Sequence, residues 1–192
     1  KEEKDSWKNK SAKVAVIDSG INVDHQWFKN RLDRENSINL ALDEGNEDDK
    51  TKPAYNDTKQ GHGSHVAGII TQATPEEVQV MAIRVFSVLG TASYATITNA
   101  VDYAVEHKAD IINMSLGFEI MSGFENDQIT LMDEAFARAF KANTTVCAAS
   151  GNEYTDTSKS YPASSPWTIA VGSFEPDAKG NLIMPGFKNA HT

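Results

Sequence analysis

The sequence is short of several things that would place it in a class at once. It has one cysteine, Cys147, in 192 residues, so no disulfide can form within the chain. No long uncharged apolar run occurs and mean hydropathy is −0.45, so no segment is suited to span a bilayer as a helix. Basic charge is scarce: 18 Lys and Arg against 27 Asp and Glu give a net charge of −9 and an isoelectric point near 5.0. Such a surface repels nucleic acid and anionic lipid, which excludes both as expected partners. The first position holds Lys1 rather than Met, and no positively charged, then apolar, leader is present; the sequence reads as processed or trimmed. Internal repeats and low-complexity linkers are also absent.

What is present suffices for one domain over residues 1–192, since 40% of the residues are hydrophobic. The opening, Lys1 to Lys10, is polar and expected to fray. Ala12 to Ile17 reads as a buried strand. The acidic run Asp43-Glu44-Gly45-Asn46-Glu47-Asp48-Asp49 reads as a solvated loop; as a cation site it lacks a recognisable ligand spacing. Helices are predicted over His62 to Thr71, with Val66, Ile69 and Ile70 on one face, over Tyr94 to His107, and over Ile129 to Ala142, with Phe140 in its apolar stripe. Strands are predicted at Val78 to Val85, Asp110 to Met114, Thr144 to Ala149 and Trp167 to Val171. Strands alternating with helices of this length predict an α/β fold, a parallel β-sheet flanked by helices. Sheets of that kind carry their chemistry at the carboxyl ends of the strands.

Three strand ends stand out. The first strand runs into Asp18-Ser19-Gly20, where the acid could serve chemistry or simply cap a turn. Gly61-His62-Gly63-Ser64-His65-Val66-Ala67-Gly68 flanks a histidine with glycines at a helix start; His62 and His65 could also share a metal on one helix face, though no further ligand is recognisable. A strand ends in Ser150-Gly151-Asn152, a plain turn or a side-chain amide placed to donate to an oxyanion. The strand before it ends in Asn113-Met114-Ser115-Leu116-Gly117, a small extended segment suited to pair with a peptide backbone.

In this order, from about Lys13 to Phe187, these segments resemble the subtilase family of serine proteases, whose chain order is Asp, His, Ser. Ser64 stands where the family usually has Thr. The resemblance implies a peptidase. His62 would be the general base, Asp18 would orient it, and Asn152 would donate to the oxyanion. Ser115, Leu116 and Gly117 would line the substrate cleft, with Ala149, Ser150 and Gly151 on the opposite wall of the first specificity pocket. It implies a polypeptide substrate, an amino-terminal propeptide, a secreted or extracytoplasmic location and no required cofactor. The acidic balance would favour basic substrates through steering.

The family nucleophile sits in a Gly-Thr-Ser-x-Ala segment, and none occurs before Thr192. Gly90-Thr91-Ala92-Ser93 differs by an inserted residue and precedes a helix out of place, and Ser64 and Ser150 are read as structural. The expectation is therefore an incomplete domain whose serine lies in a missing carboxyl-terminal segment or a second chain. The alternatives are a pseudoprotease or a binding module on the same fold. A sheet without its last helix should also expose apolar surface. The segment Gly68 to Val80 is short for the family calcium insertion, so structural calcium is not indicated. Phe118 would either fill part of the cleft or pack on the core.

Overall fold

The computed structural model describes residues 11–41, 51–120, 126–153 and 156–183. The polar opening, the acidic run 43–49 and residues 187–192 lie outside the described residues. The chain order is β1 (Lys13–Asp18), β2 (Ile38–Asn39), α1 (His62–Ala73), β3 (Gln79–Arg84), α2 (Tyr94–Glu106), β4 (Ile111–Met114), β5 (Phe118–Glu119), α3 (Asn126–Lys141), β6 (Thr145–Ala149), β7 (Ser160–Tyr161), β8 (Thr168–Val171), β9 (Glu175–Pro176) and β10 (Leu182–Ile183). Six strands form one parallel sheet in the order β2-β3-β1-β4-β6-β8, and β5–β7 and β9–β10 are small antiparallel pairs.

β1 is buried from Val14 to Asp18 because both faces of the sheet are covered there, which is why its sequence is a near-continuous apolar run. On one face, Ile17, Met81, Ile83 and Ile112 pack with Ile97 and Val101 of α2 and Met132 and Phe136 of α3. On the other, Val16, Val80 and Ala82 pack with Ala67 of α1 and with Phe28 and Leu32.

The right half of the sheet is built differently. β4, β6 and β8 alternate between more and less buried residues instead of running continuously buried. Ile112, Met114, Val146 and Ala148 face inward, while Ile111, Asn113, Cys147, Ile169 and Val171 share the opposite face. Among the described residues that face is open: Ile169 is 55% and Val171 52% exposed.

Two predicted helix faces are corrected. α1 does not bury Ile69, which is 58% exposed; it buries Gly63, Ala67, Gly68 and Thr71. Trp27 explains the choice, since its ring would lie 3.3 Å from a methyl built on Gly68, so the helix seats through small residues. Phe140 of α3 is 65% exposed and leans on Trp167, with ring centroids 5.6 Å apart.

Candidate active site

The chain runs from β1 leftward to β3, then crosses back to β4 and β6 on the right. The strand order therefore reverses between β1 and β4, and the crevice outside the carboxyl ends of those two strands is the expected site. Asp18 is the last residue of β1, and Ser115-Leu116-Gly117 follows β4 directly. These residues line one cleft of about 240 Å3 together with His62, Phe86 and Val88.

His62 Nδ1 lies 2.7 Å from Asp18 Oδ1. Asp18 is fully buried and the imidazole is half exposed, so the acid is locked and the imidazole faces the cleft. Oδ1 also accepts from the Ser19 amide at 2.7 Å, and among the described residues Oδ2 has no hydrogen-bond partner. Burial pushes the Asp18 carboxyl above its ordinary range, opposed by its bonds to His62 and Ser19. An ionised carboxylate can only accept, so it selects the tautomer with the proton on Nδ1 and leaves Nε2 with its lone pair. Among the described residues no serine hydroxyl donates to the imidazole.

His62 is the first residue of α1, after Gly61 at φ +70°, where glycine turns the chain into the helix. Gly63 brings the helix against the loop after β1; a methyl built on it would lie 2.1 Å from Gly20 O and 3.2 Å from Asp18 Cβ. The Gly63 amide donates to Ser19 Oγ at 2.9 Å.

Asn152 and Ala149, Ser150 and Gly151 line a second, larger groove of about 550 Å3, with Ile69, Cys147 and Val171. Ser115 belongs to both cavities, so the predicted residues surround two grooves joined at Ser115 rather than one. The Asn152 side is exposed, and the second groove opens onto the bare face of β4, β6 and β8.

Other expectations sort out on geometry. Ser93 caps α2, its Oγ accepting from the Thr96 amide at 3.0 Å. Ser64 Oγ donates to Asp57 and accepts from the Asn22 amide at 2.8 Å. Ser150 is buried, its amide donating to Val171 O at 3.0 Å. Phe118 packs on Tyr94 and Tyr161, with centroids 4.7 Å and 5.4 Å away, and does not line the cleft. The histidine pair of α1 diverges: His62 turns to Asp18 and His65 is exposed. Among the described residues no group of three or more His, Cys, Asp or Glu is placed to hold a metal ion. Sequence reasoning missed Phe86, Val88, Thr58 and Gln60 in the cleft wall, and Asp57 behind it.

A model of the subtilase family matches residues 9–184. The chain belongs to the subtilase family. It is 34% identical over 179 residues to the major intracellular serine protease of Bacillus subtilis, covering 86% of this chain and 52% of the relative. It is 32% identical over 174 residues to subtilisin E of the same species, covering 85% and 41%. Among solved structures, the epidermin leader peptide processing serine protease of Staphylococcus aureus superposes with a TM-score of 0.73 at 24% identity, covering 95% of this chain and 50% of that one. These likenesses establish the subtilisin-like fold, a parallel sheet with flanking helices, and a family of serine proteases. This subtilase chain spans about half the length of the curated relatives it matches. The relatives' names do not carry the expected secretion over, because one of them is an intracellular protease. No helix among the described residues is long and apolar enough to cross a membrane.

Proposed function

We propose that this subtilase is a serine endopeptidase acting through an acyl-enzyme. The observation that carries the reading is the 2.7 Å contact between buried Asp18 and half-exposed His62 at the switch point of the sheet. His62 Nε2 takes the proton of a serine hydroxyl and later delivers it to the leaving amine, while Asp18 keeps the tautomer and stabilises the imidazolium. Asn152 donates its side-chain N–H to the tetrahedral oxyanion. Ser115-Leu116-Gly117 pairs with the substrate backbone, and Ala149-Ser150-Gly151 walls the first specificity pocket. These steps need only side chains, so the proposal requires no cofactor.

The nucleophile in this reading comes from a segment or second chain that covers the open face of β4, β6 and β8, making residues 1–192 part of one catalytic domain. Two facts support it. Ser64, Ser93 and Ser150, the three serines weighed as stand-ins for the nucleophile, are each taken up structurally. The second groove, beside Asn152, also lies against that face. The substrate is a polypeptide, a propeptide precedes the domain, and the protease works outside the cytoplasm; cell fractionation checks the last point.

The test is hydrolysis of a denatured protein by the full-length gene product. Asn152→Ala should lower kcat by about 10²–10³, the magnitude established for a side-chain oxyanion donor in subtilisin. Unchanged kcat would remove Asn152 from the oxyanion site.

A further inference from the structure

Four donors converge on one carboxylate behind the cleft. Asp57 is 7% exposed and stands five residues before His62, on the segment that enters α1. Its Oδ1 accepts from Ser19 Oγ at 2.7 Å and from the Thr58 amide at 2.8 Å. Its Oδ2 accepts from the Ser64 amide at 2.7 Å and from the Ser64 hydroxyl. A carboxylate offers about four lone-pair sites, and all are used.

The partners matter because of their neighbours. Ser19 follows Asp18, and Ser64 stands two residues after His62. Ser19 Oγ also receives the Gly63 amide, so hydrogen bonds link Ser64, Asp57, Ser19 and Gly63 around the junction of β1 with the first turn of α1. The helix's own cap position, Gly61, contributes no side chain, and the amides of Gly63 and Ser64 are served by Ser19 and Asp57 instead. An acid there also complements the positive end of the helix. By contrast, Asp18 and His62 are joined by one side-chain hydrogen bond, and the imidazole is 54% exposed. One such bond does not fix the two backbones that carry it.

We infer that Asp57 is a positioning residue: by tying Ser19 to Ser64 it holds the His62 imidazole on Asp18. The inference rests on the peptidase reading for its functional consequence, but not for its geometry. An amide cannot substitute. Asparagine would keep one accepting oxygen and aim an NH2 either at the amide and hydroxyl of Ser64 or at those of Ser19 and Thr58, donor against donor. A displacement of about 1 Å at a reacting group can cost about 10²-fold in rate.

The experiment follows the His62 Nδ1–H proton by NMR in the full-length gene product with 15N-labelled histidine, at a temperature where near-ultraviolet circular dichroism shows native packing. Wild type should give a resonance far downfield, that of an imidazole N–H held on a carboxylate. Asp57→Asn should lose it to solvent exchange while remaining folded, and Ser64→Thr, which keeps the hydroxyl, should retain it. Should Asp57→Asn fail to fold, Ser19→Ala removes one arm of the clamp and is expected to broaden the same signal. In the full-length protease, Asp57→Asn should lower kcat about 10- to 100-fold and change KM less than about twofold. A wild-type-like resonance in Asp57→Asn, or in Ser19→Ala if that is the variant measured, overturns the inference. Loss of the resonance in the variant, with no peptidase activity in wild type, would retain the clamp and sink the peptidase reading alone.

Discussion

Gly63 and Gly20 meet backbone to backbone, so closely that a methyl group on Gly63 would lie 2.1 Å from the Gly20 carbonyl oxygen. The contact lets the first turn of α1 descend on the end of β1, and it sets how near His62 can come to Asp18. Neither glycine carries chemistry itself; both are the condition for it.

Gly63→Ala should therefore damage more than packing. The backbone at Gly20 cannot rotate away as a side chain would, so the helix must lift. The expected cost is about 1–3 kcal/mol of stability, as for overpacked cores. The Nδ1–H resonance of His62 should be lost with it. Urea denaturation and NMR check the two effects, and a variant as stable as wild type would contradict the close approach.

Asp18 makes a prediction with a sign. Burial raises its carboxyl above the unfolded value, so its favourable contribution to stability is complete below the ordinary carboxylate range and declines as pH rises through the folded value. At neutral pH the ionised acid is a cost to the fold. Asp18→Asn should then melt a few degrees higher than wild type at pH 7, with the difference shrinking as pH falls from the raised folded value toward the ordinary carboxylate range near about 4 and levelling off below it. On the proposed peptidase function, the same substitution should cost the full-length gene product about 10⁴ in kcat, as in a serine-protease triad. A variant that melts lower at pH 7 would contradict the account.

Arg31 tests the other end of α1. Its guanidinium donates to Val78 O at 2.8 Å, Thr71 O at 2.6 Å, Thr74 O at 3.3 Å and Thr74 Oγ1 at 2.7 Å, satisfying carbonyls where the helix stops. A lysine has no planar fork to reach them together. Arg31→Lys should cost about 2–3 kcal/mol in urea denaturation; a cost below about 0.5 kcal/mol would show these bonds to be dispensable.

Cys147 reports on the open sheet face. It lies in the second groove, half-buried, and burial raises its thiol pKa. Modification of this chain by a maleimide should thus be slow at neutral pH and accelerate as pH rises. In the full-length gene product the same cysteine should react at least about tenfold more slowly, because the proposed serine-bearing segment covers it. Equal rates in both would argue that nothing covers that face.

Much of this was legible in the sequence, for identifiable reasons. β1 shows as an unbroken apolar run because both its faces are covered, and Asp18 and His62 show because each sits at an element end, His62 between two glycines and Asp18 two residues before Gly20. Other features depend on contacts that no local pattern records. Ile69 fits the apolar spacing of α1, yet Trp27 against Gly68 turns the helix onto its small residues. β2 has two residues, too few to show a period. Asp57 reads as an ordinary loop acid because its partner Ser19 lies 38 positions away. Phe118 could have pointed either way; Tyr94 and Tyr161 decide it.

The most direct measurement of the central claim is labelling of the full-length gene product with a serine-directed fluorophosphonate, followed by mapping of the modified peptide. Wild type should be labelled at one serine, distinct from Ser64, Ser93 and Ser150, and His62→Ala should not be labelled. Absence of label in folded wild type, or label that persists undiminished in His62→Ala, would contradict the assignment of Asp18 and His62 as the base of a serine peptidase.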